Sequence, residues 1–295
     1  MAVTMENIKE LRAATGAGVV DCRNALVACD GDVDKAADWL REKGIAKAAK
    51  KASRIAAEGL TEIAVAANTA VVIEVNSETD FVAKNEKFQK LVKALAAAVL
   101  AAKPANMEEA LKVKMETGTL QEVITDATFT IGEKISFRRF EVVNKKDSES
   151  FGAYVHMGGK IAALTVVEGQ DQEELARDLA MHVAALSPSY VSMNDIPKDV
   201  VEHEEHIQLA AAKNDPKLAN KPEQALVKIL EGKVRKSLAE LCLNEQDFVK
   251  EPTFKVGKYV ADKGSAVVGF VRYAVGEGLQ RREDDFAQEV LSQIK

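Results

Sequence analysis

Three observations predict an α+β chain: short capped helices at the N-terminus, a strand-then-helix pattern that occurs twice, and two long helical patterns inserted in the second half. The expected layout is a small three-helix N-terminal module, two related α/β subdomains with antiparallel sheets, an inserted antiparallel helical hairpin and a C-terminal helix. In residue numbers these are 1–54 (module and start of a linker), 55–145, 146–275 with the hairpin at about 195–240, and 276–295.

Thr4 can cap a first helix that Ile8 and Leu11 anchor and Gly16 ends. Gly18 opens a second through Asp21, Ala25 and Leu26, closed at Asp30-Gly31. Asp32 caps a third with Val33, Ala36, Ala37 and Leu40 on one face, and Gly44 is expected to stop it. The Ala/Lys-rich stretch from Ile45 to Ala57 reads as a linker with helical tendency. Its basic run, Lys47, Lys50, Lys51 and Arg54, reads as a solvated face.

Ala70 to Val75 is an apolar, alternating strand, and a helix follows near Glu86 with Phe88, Leu91, Val92, Leu95 and Val99 on one face. Ile161 to Val167, followed by a helix carrying Leu175, Leu179 and Val183, repeats this pattern. Thr128-Phe129-Thr130-Ile131-Gly132 is echoed by Thr253-Phe254-Lys255-Val256-Gly257, and the runs Phe137 to Val143 and Val267 to Val275 close the two units as strands. The second unit is the longer. Its excess falls on Val200 to Ala212 and Glu223 to Leu241, the latter with Leu226, Leu230, Val234 and Leu238 one turn apart. A polar turn, Asn214-Asp215-Pro216 to Lys221-Pro222, joins them into a hairpin. After Gly276-Glu277-Gly278, a last helix is expected from Asp284 or Asp285 to Ile294, with Phe286, Val290 and Leu291 on one side.

Composition narrows the function. The 295 residues are 47% hydrophobic but only 5% aromatic, so the cores must lean on Ala, Val, Leu and Ile. A net charge of −6 argues against a dedicated nucleic-acid binder. Three cysteines fit a reducing compartment better than a disulfide framework, and Cys22 and Cys29 lack zinc-site spacing. The N-terminus has no signal pattern, and the most apolar stretch, Leu91 to Ala102, is too short to span a bilayer. The expectation is a cytoplasmic chain without a cofactor.

Chemistry-bearing motifs are sparse. Gly132-Glu133-Lys134-Ile135-Ser136 lacks the glycine spacing of a phosphate loop. His203 and His206 stand three apart, not the four of a zinc-protease helix, and read as solvated surface. No nucleophile elbow is evident, so the chain is not read as an enzyme. The enzyme alternative is a metal-dependent hydrolase built on Glu74, Glu78 and Asp80. On a strand, however, Glu74 and Asn76 share one face while Val75 and Ser77 share the other.

The most informative segment runs Glu74-Val75-Asn76-Ser77-Glu78-Thr79-Asp80-Phe81-Val82-Ala83-Lys84, from strand into helix. Two structural readings are open. Asp80 or Asn85 can cap the helix, and Phe81 can staple its first turn; otherwise Phe81 is offered to a partner. This segment, and Leu11-Arg12-Ala13-Ala14-Thr15-Gly16-Ala17-Gly18-Val19-Val20-Asp21-Cys22-Arg23-Asn24-Ala25-Leu26, resemble the two signatures of the bacterial elongation factor Ts family. The first three helices then resemble a ubiquitin-associated-type bundle, as the family begins.

The resemblance implies a nucleotide exchange factor for the translational GTPase elongation factor Tu. Thr79, Asp80, Phe81 and Val82 would be the wedge that disturbs the GTPase's Mg²⁺ region. His156, in Tyr154-Val155-His156-Met157-Gly158-Gly159, would press near its phosphate loop, with a strand-end surface histidine as the alternative. Arg12, Val19 and Val20 would touch the GTPase domain, although Val19, Val20 and Arg23 stand where the family usually has methionines and lysine. The hairpin would serve as a contact or dimerisation arm, and the C-terminal segment would dock on the GTPase, with folding back on its own domain as the alternative.

Overall fold

The computed structural model describes residues 3–213 and 223–280. The expected turn from Asn214 to Pro222 and the expected last helix from Asp284 or Asp285 lie outside the described residues. The chain forms two compact units. One comprises the chain up to Val143, Met157–Ile161 and the segment from Tyr273; the other comprises Asn144–His156 and Ala162–Arg272.

The first unit opens with α1 (Met5–Thr15), α2 (Val19–Ala28) and α3 (Val33–Lys51). The expected caps are present. Thr4 accepts the Asn7 N–H at 3.2 Å, Asp32 accepts the Lys35 N–H at 3.0 Å, and Gly16 ends α1 in the left-handed region at φ 67°. Ile8, Leu11, Cys22, Ala25, Leu26, Ala36 and Leu40 form their shared core. Gly44 does not stop α3, which runs on to Lys51. The glycine instead admits a neighbouring ring, as shown below. Of the basic run, Lys47, Lys50 and Arg54 are exposed, as expected of a solvated face; Lys47 also pairs with Asp21 at 2.8 Å, Lys51 donates to backbone carbonyls and Arg54 pairs with Glu78.

Strands β1 (Glu58–Ala66) and β2 (Thr69–Ser77) form an antiparallel hairpin in register from Glu58↔Ser77 to Ala66↔Thr69. The expectation covered β2 but not β1. Next come α4 (Asp80–Ala83), α5 (Glu86–Ala102), α6 (Met107–Leu111), the short pair β3 (Lys114–Met115) and β4 (Gly118–Thr119), α7 (Leu120–Ile131) and β5 (Ser136–Asn144). The sheet order is β1-β2-β5, and all nine residues of the central β2 are buried. Val71, Ile73 and Val75 share one core with Phe88, Val92, Leu95 and Val99 of α5. Glu74 and Asn76 take the alternate positions, and Asn76 donates to Glu74 at 3.0 Å.

The second unit contains β6 (Glu149–His156), β7 (Ile161–Glu168), α8 (Glu173–Leu186), α9 (Lys198–Lys213), α10 (Glu223–Glu240), the pair β8 (Asp247–Phe248) and β9 (Glu251–Lys255), α11 (Val256–Asp262) and β10 (Val267–Ala274). Its three-stranded sheet has the order β10-β7-β6. Leu175, Leu179 and Val183 are buried on α8, as the pattern predicts. Gly152 of β6 lets α8 approach closely, since a Cβ there would lie 2.0 Å from the Ala176 carbonyl carbon. Helices α9 and α10 pack on each other. Ile196, Leu238 and Cys242 form a small core there, with Val200, Val201 and Val234 around it.

The chain is α+β, with antiparallel strand pairs and helices on the sheets. The internal repeat reaches the central strand, the helix after it and the closing strand, which lies beside the central one in each sheet as β5 and β10, but not the element between helix and closing strand. Thr128 to Gly132 is the C-terminal end of α7, whereas Thr253 to Gly257 crosses from β9 into α11. No helix among the described residues is long and apolar enough to cross a membrane.

Candidate functional site

The segment after β2 is a single helical turn held from several directions. Ser77 donates its hydroxyl to the Thr79 carbonyl at 3.0 Å. Thr79 is the N-cap of α4, its hydroxyl oxygen accepting the Val82 N–H at 3.5 Å. The expectation that Asp80 caps a helix is corrected: Asp80 is the first residue of α4, and its carboxylate turns to Lys84 one turn on, at 2.6 Å. The Lys84 hydrogen bond holds the Asp80 carboxyl below its ordinary value. Asn85 caps α5, accepting the Lys87 N–H at 2.8 Å.

The turn between α7 and β5 grips this segment. Glu133 accepts both the Thr79 N–H, at 3.0 Å, and the Thr79 hydroxyl, at 2.6 Å. One residue on, the Lys134 N–H donates to Glu78 at 2.6 Å, and Arg54 reaches the same Glu78 oxygen at 3.2 Å. The partners of the charged groups here are backbone N–H groups, the Thr79 hydroxyl and the Arg54 guanidinium.

The four residues of α4 divide by side. Val82 and Ala83 are buried with Ile73 and Phe88 in the first unit's core. Phe81 points away and is 79% exposed. Its only ring partner described is the Lys84 ammonium, 5.9 Å from the centroid. The staple reading is therefore corrected: Phe81 does not fasten the first turn of α5.

The three carboxylates of the hydrolase alternative do not converge. Glu74 is fully buried and bound by Arg138 at 2.8 Å, by Arg139, by the Gly276 N–H at 2.8 Å and by Asn76. Burial pushes its carboxyl up, but the Gly276 N–H, Arg138, Asn76 and Arg139 outweigh this and hold it below the usual carboxylate range. Glu78 is taken by Arg54 and Lys134, and Asp80 by Lys84. Each charge is already neutralised by its own partner, which leaves no shared oxygen-rich site of the kind a divalent cation takes. His203 and His206 are exposed on α9.

The remaining expected contact residues also lie on the surface. His156 ends β6, exposed, with its Nδ1 2.9 Å from the Tyr154 hydroxyl. The next residue, Met157, is 72% exposed. Arg12 is exposed on α1, and Val19 and Val20, 45% and 69% exposed, open α2. Neither valine belongs to the core of the three helices.

Sequence reasoning missed Glu133 and the arginine pair around Glu74. Glu133 stands in a segment read only as a failed phosphate loop, and nothing local ties it to a threonine that precedes it by four helices, α4 to α7, and the β3-β4 pair. The Arg138-Arg139 pair gave no local signal either, since neighbours on a strand point to opposite faces, and only the fold brings both guanidinium groups to Glu74.

Residues 78–277 match the family model described as Elongation factor TS. The match begins at the first residue of the turn just described, reaches the loop that donates Gly276 to Glu74, and covers more than half the chain. With its exposed Phe81 on a firmly held turn inside the matched region, this chain belongs to the elongation factor Ts family.

Proposed function

We propose that this chain accelerates the release of GDP from elongation factor Tu, with Phe81 as the wedge. Family membership supplies the partner. The observation that carries the mechanism is an aromatic ring, 79% exposed, on a helical turn whose other face is anchored in the core. An exposed ring on a rigid base is ready to enter a partner without reordering.

The GTPase holds its nucleotide through a phosphate loop and a Mg²⁺ ion, and Mg²⁺ demands near-ideal octahedral geometry. Phe81 supplies apolar volume that displaces the elements supporting the ion. Thr79, Asp80 and Val82 set its approach, Asp80 offering a carboxylate to donors on the partner. A protein that binds the ion-displaced state more tightly lowers nucleotide affinity, and nucleotide lowers affinity for that protein by the same factor. No covalent bond changes, so the chain acts by competition between conformations.

His156 forms a second contact near the phosphate loop, and Arg12, Val19 and Val20 a third on the GTPase domain. The helical pair α9 and α10 serves as a contact or dimerisation arm. The test is release of labelled GDP from elongation factor Tu with catalytic amounts of this chain. Accelerated release, and dissociation of the complex by excess GDP with Mg²⁺, are the expected results. Unchanged release with a folded sample would refute the proposal.

A further inference from the structure

We propose that Glu133 is the positioning residue of the exchange site: it holds Thr79 so that Phe81 is presented in one conformation before any partner arrives. The inference rests on the exchange reading above and adds a residue to it.

The geometry of the clamp is specific. An ionised carboxylate only accepts hydrogen bonds, and Glu133 takes two from one residue, the Thr79 N–H at 3.0 Å and its hydroxyl at 2.6 Å. Because the hydroxyl proton is directed at Glu133, the oxygen's lone pairs are left for the Val82 N–H, which they meet at 3.5 Å. The carboxylate thus orients the cap of α4, and the cap orients the turn that carries Phe81. A helix of four residues has little stability of its own, so its shape must be imposed from outside.

Glu133 is itself fixed. It follows Gly132, the left-handed cap of α7, and Lys51 donates its ammonium to the Gly132 and Thr128 carbonyls. The neighbouring Lys134 is tied through its N–H to Glu78 and through its ammonium to the Arg54 carbonyl at 2.9 Å. Glu78 and Thr79, the two residues that lead into Phe81's turn, are therefore both referred to one corner. Its supports come from the end of α3 and the end of α7.

The chemistry favours positioning over simple stability. Val82 and Ala83 already anchor α4 in the core. What they leave free is the rotation and fraying of the N-terminal half of the turn, where Asp80 and Phe81 sit. A Gln in place of Glu133 keeps the volume but offers one acceptor and one donor. Its amide can accept from the Thr79 N–H, and then its NH₂ competes with Val82 for the Thr79 oxygen.

The experiment uses the full chain carrying Glu133→Gln or Glu133→Ala, each alone and with Phe81→Ala. In the free protein, amide hydrogen exchange at Val82 is expected to speed up by about tenfold while Phe88 in α5 stays protected. With elongation factor Tu, maximal GDP release is expected to slow by about tenfold, as a misplaced group would cause. In the Phe81→Ala background, Glu133→Gln should change release by less than about twofold, because partners in one unit are not additive. A slow Phe81→Ala beside normal release and normal Val82 protection in both Glu133 variants would overturn the positioning role alone. Normal release by Phe81→Ala itself would overturn the exchange reading, and this role with it. Equal slowing by Glu133→Gln with and without Phe81 would assign Glu133 to a structural role and overturn the proposal.

Discussion

Gly44 lies flat against the ring of Phe129: a Cβ at position 44 would stand 3.3 Å from the ring's Cγ and 3.5 Å from its Cβ. The contact joins α3 to α7, and Lys47, one turn on, holds its ammonium 4.9 Å from the same ring centroid. A residue that costs a helix about 1 kcal/mol relative to alanine is kept where it lets two helices meet. Gly44→Val should therefore destabilise the protein by about 1–3 kcal/mol through overpacking, despite any gain in chain entropy. Urea melts read this directly, and an unchanged midpoint would show that α3 and α7 can separate without cost.

Glu74 is the second test. It is fully buried, while Arg138 and Arg139 keep 21% and 29% side-chain exposure. Glu74→Ala should cost about 3 kcal/mol, the low end for a broken buried pair, because the orphaned arginines still reach water. The linkage has a defined sign. The folded carboxyl lies below its ordinary value of 4.5, so its contribution is complete above about pH 4.5 and is lost as pH falls through the lower folded value. Acid melts of the wild type should show this loss. Glu74→Gln should flatten it.

His182 predicts the opposite edge of the pH range. It is fully buried on α8, with Nε2 2.9 Å from the Gln246 side-chain oxygen and Nδ1 accepting the Val249 N–H at 3.3 Å. Both nitrogens are thus used in the neutral form. A second proton would face the Val249 N–H. Burial pushes the imidazole below its ordinary 6.5, against a smaller upward pull from Gln246. The unfolded chain then binds the proton first, so stability is complete above about pH 6.5 and declines as pH falls from there toward the folded value. Urea midpoints at pH 7.5 and 5.5 measure the slope, and His182→Gln should reduce it. A slope indifferent to that substitution would assign it to other groups.

What the sequence revealed, and what it hid, follows the range of each interaction. Thr4, Gly16, Gly18, Asp32 and Asn85 act within a few residues, and their caps were legible. The stripe on α5 and the alternation in β2 were legible for the same reason, since periodicity is local. Gly44 misled because a glycine's use as a helix stop and its use as a contact point look identical until Phe129 is placed beside it. The sequence offers Asp80 or Asn85 as the cap and does not single out Thr79 as the cap of α4; only Glu133, from the far side of α5 to α7, shows that Thr79 is the residue being held. The exposed Phe81 itself could not be read locally, because stapling and exposure require the same sequence.

Phe81 and Phe88, one on each side of the Asn85 cap, separate function from folding. Phe88 is fully buried among Ile73, Val92 and Leu95, whereas Phe81 is 79% exposed. Phe88→Ala should cost about 3–5 kcal/mol, the range for emptying an aromatic site in a core, and lower GDP release only as far as it lowers the folded fraction. Phe81→Ala should change stability by no more than about 0.5 kcal/mol, as at ordinary surface positions, yet slow catalysed GDP release sharply. Asp80→Ala should follow Phe81→Ala without loss of a helix cap, because Thr79 does the capping. Thermal melts beside exchange rates decide the matter. A Phe81→Ala protein as stable and as active as the wild type would leave its exposed ring without a role and return the wedge to some other part of the surface.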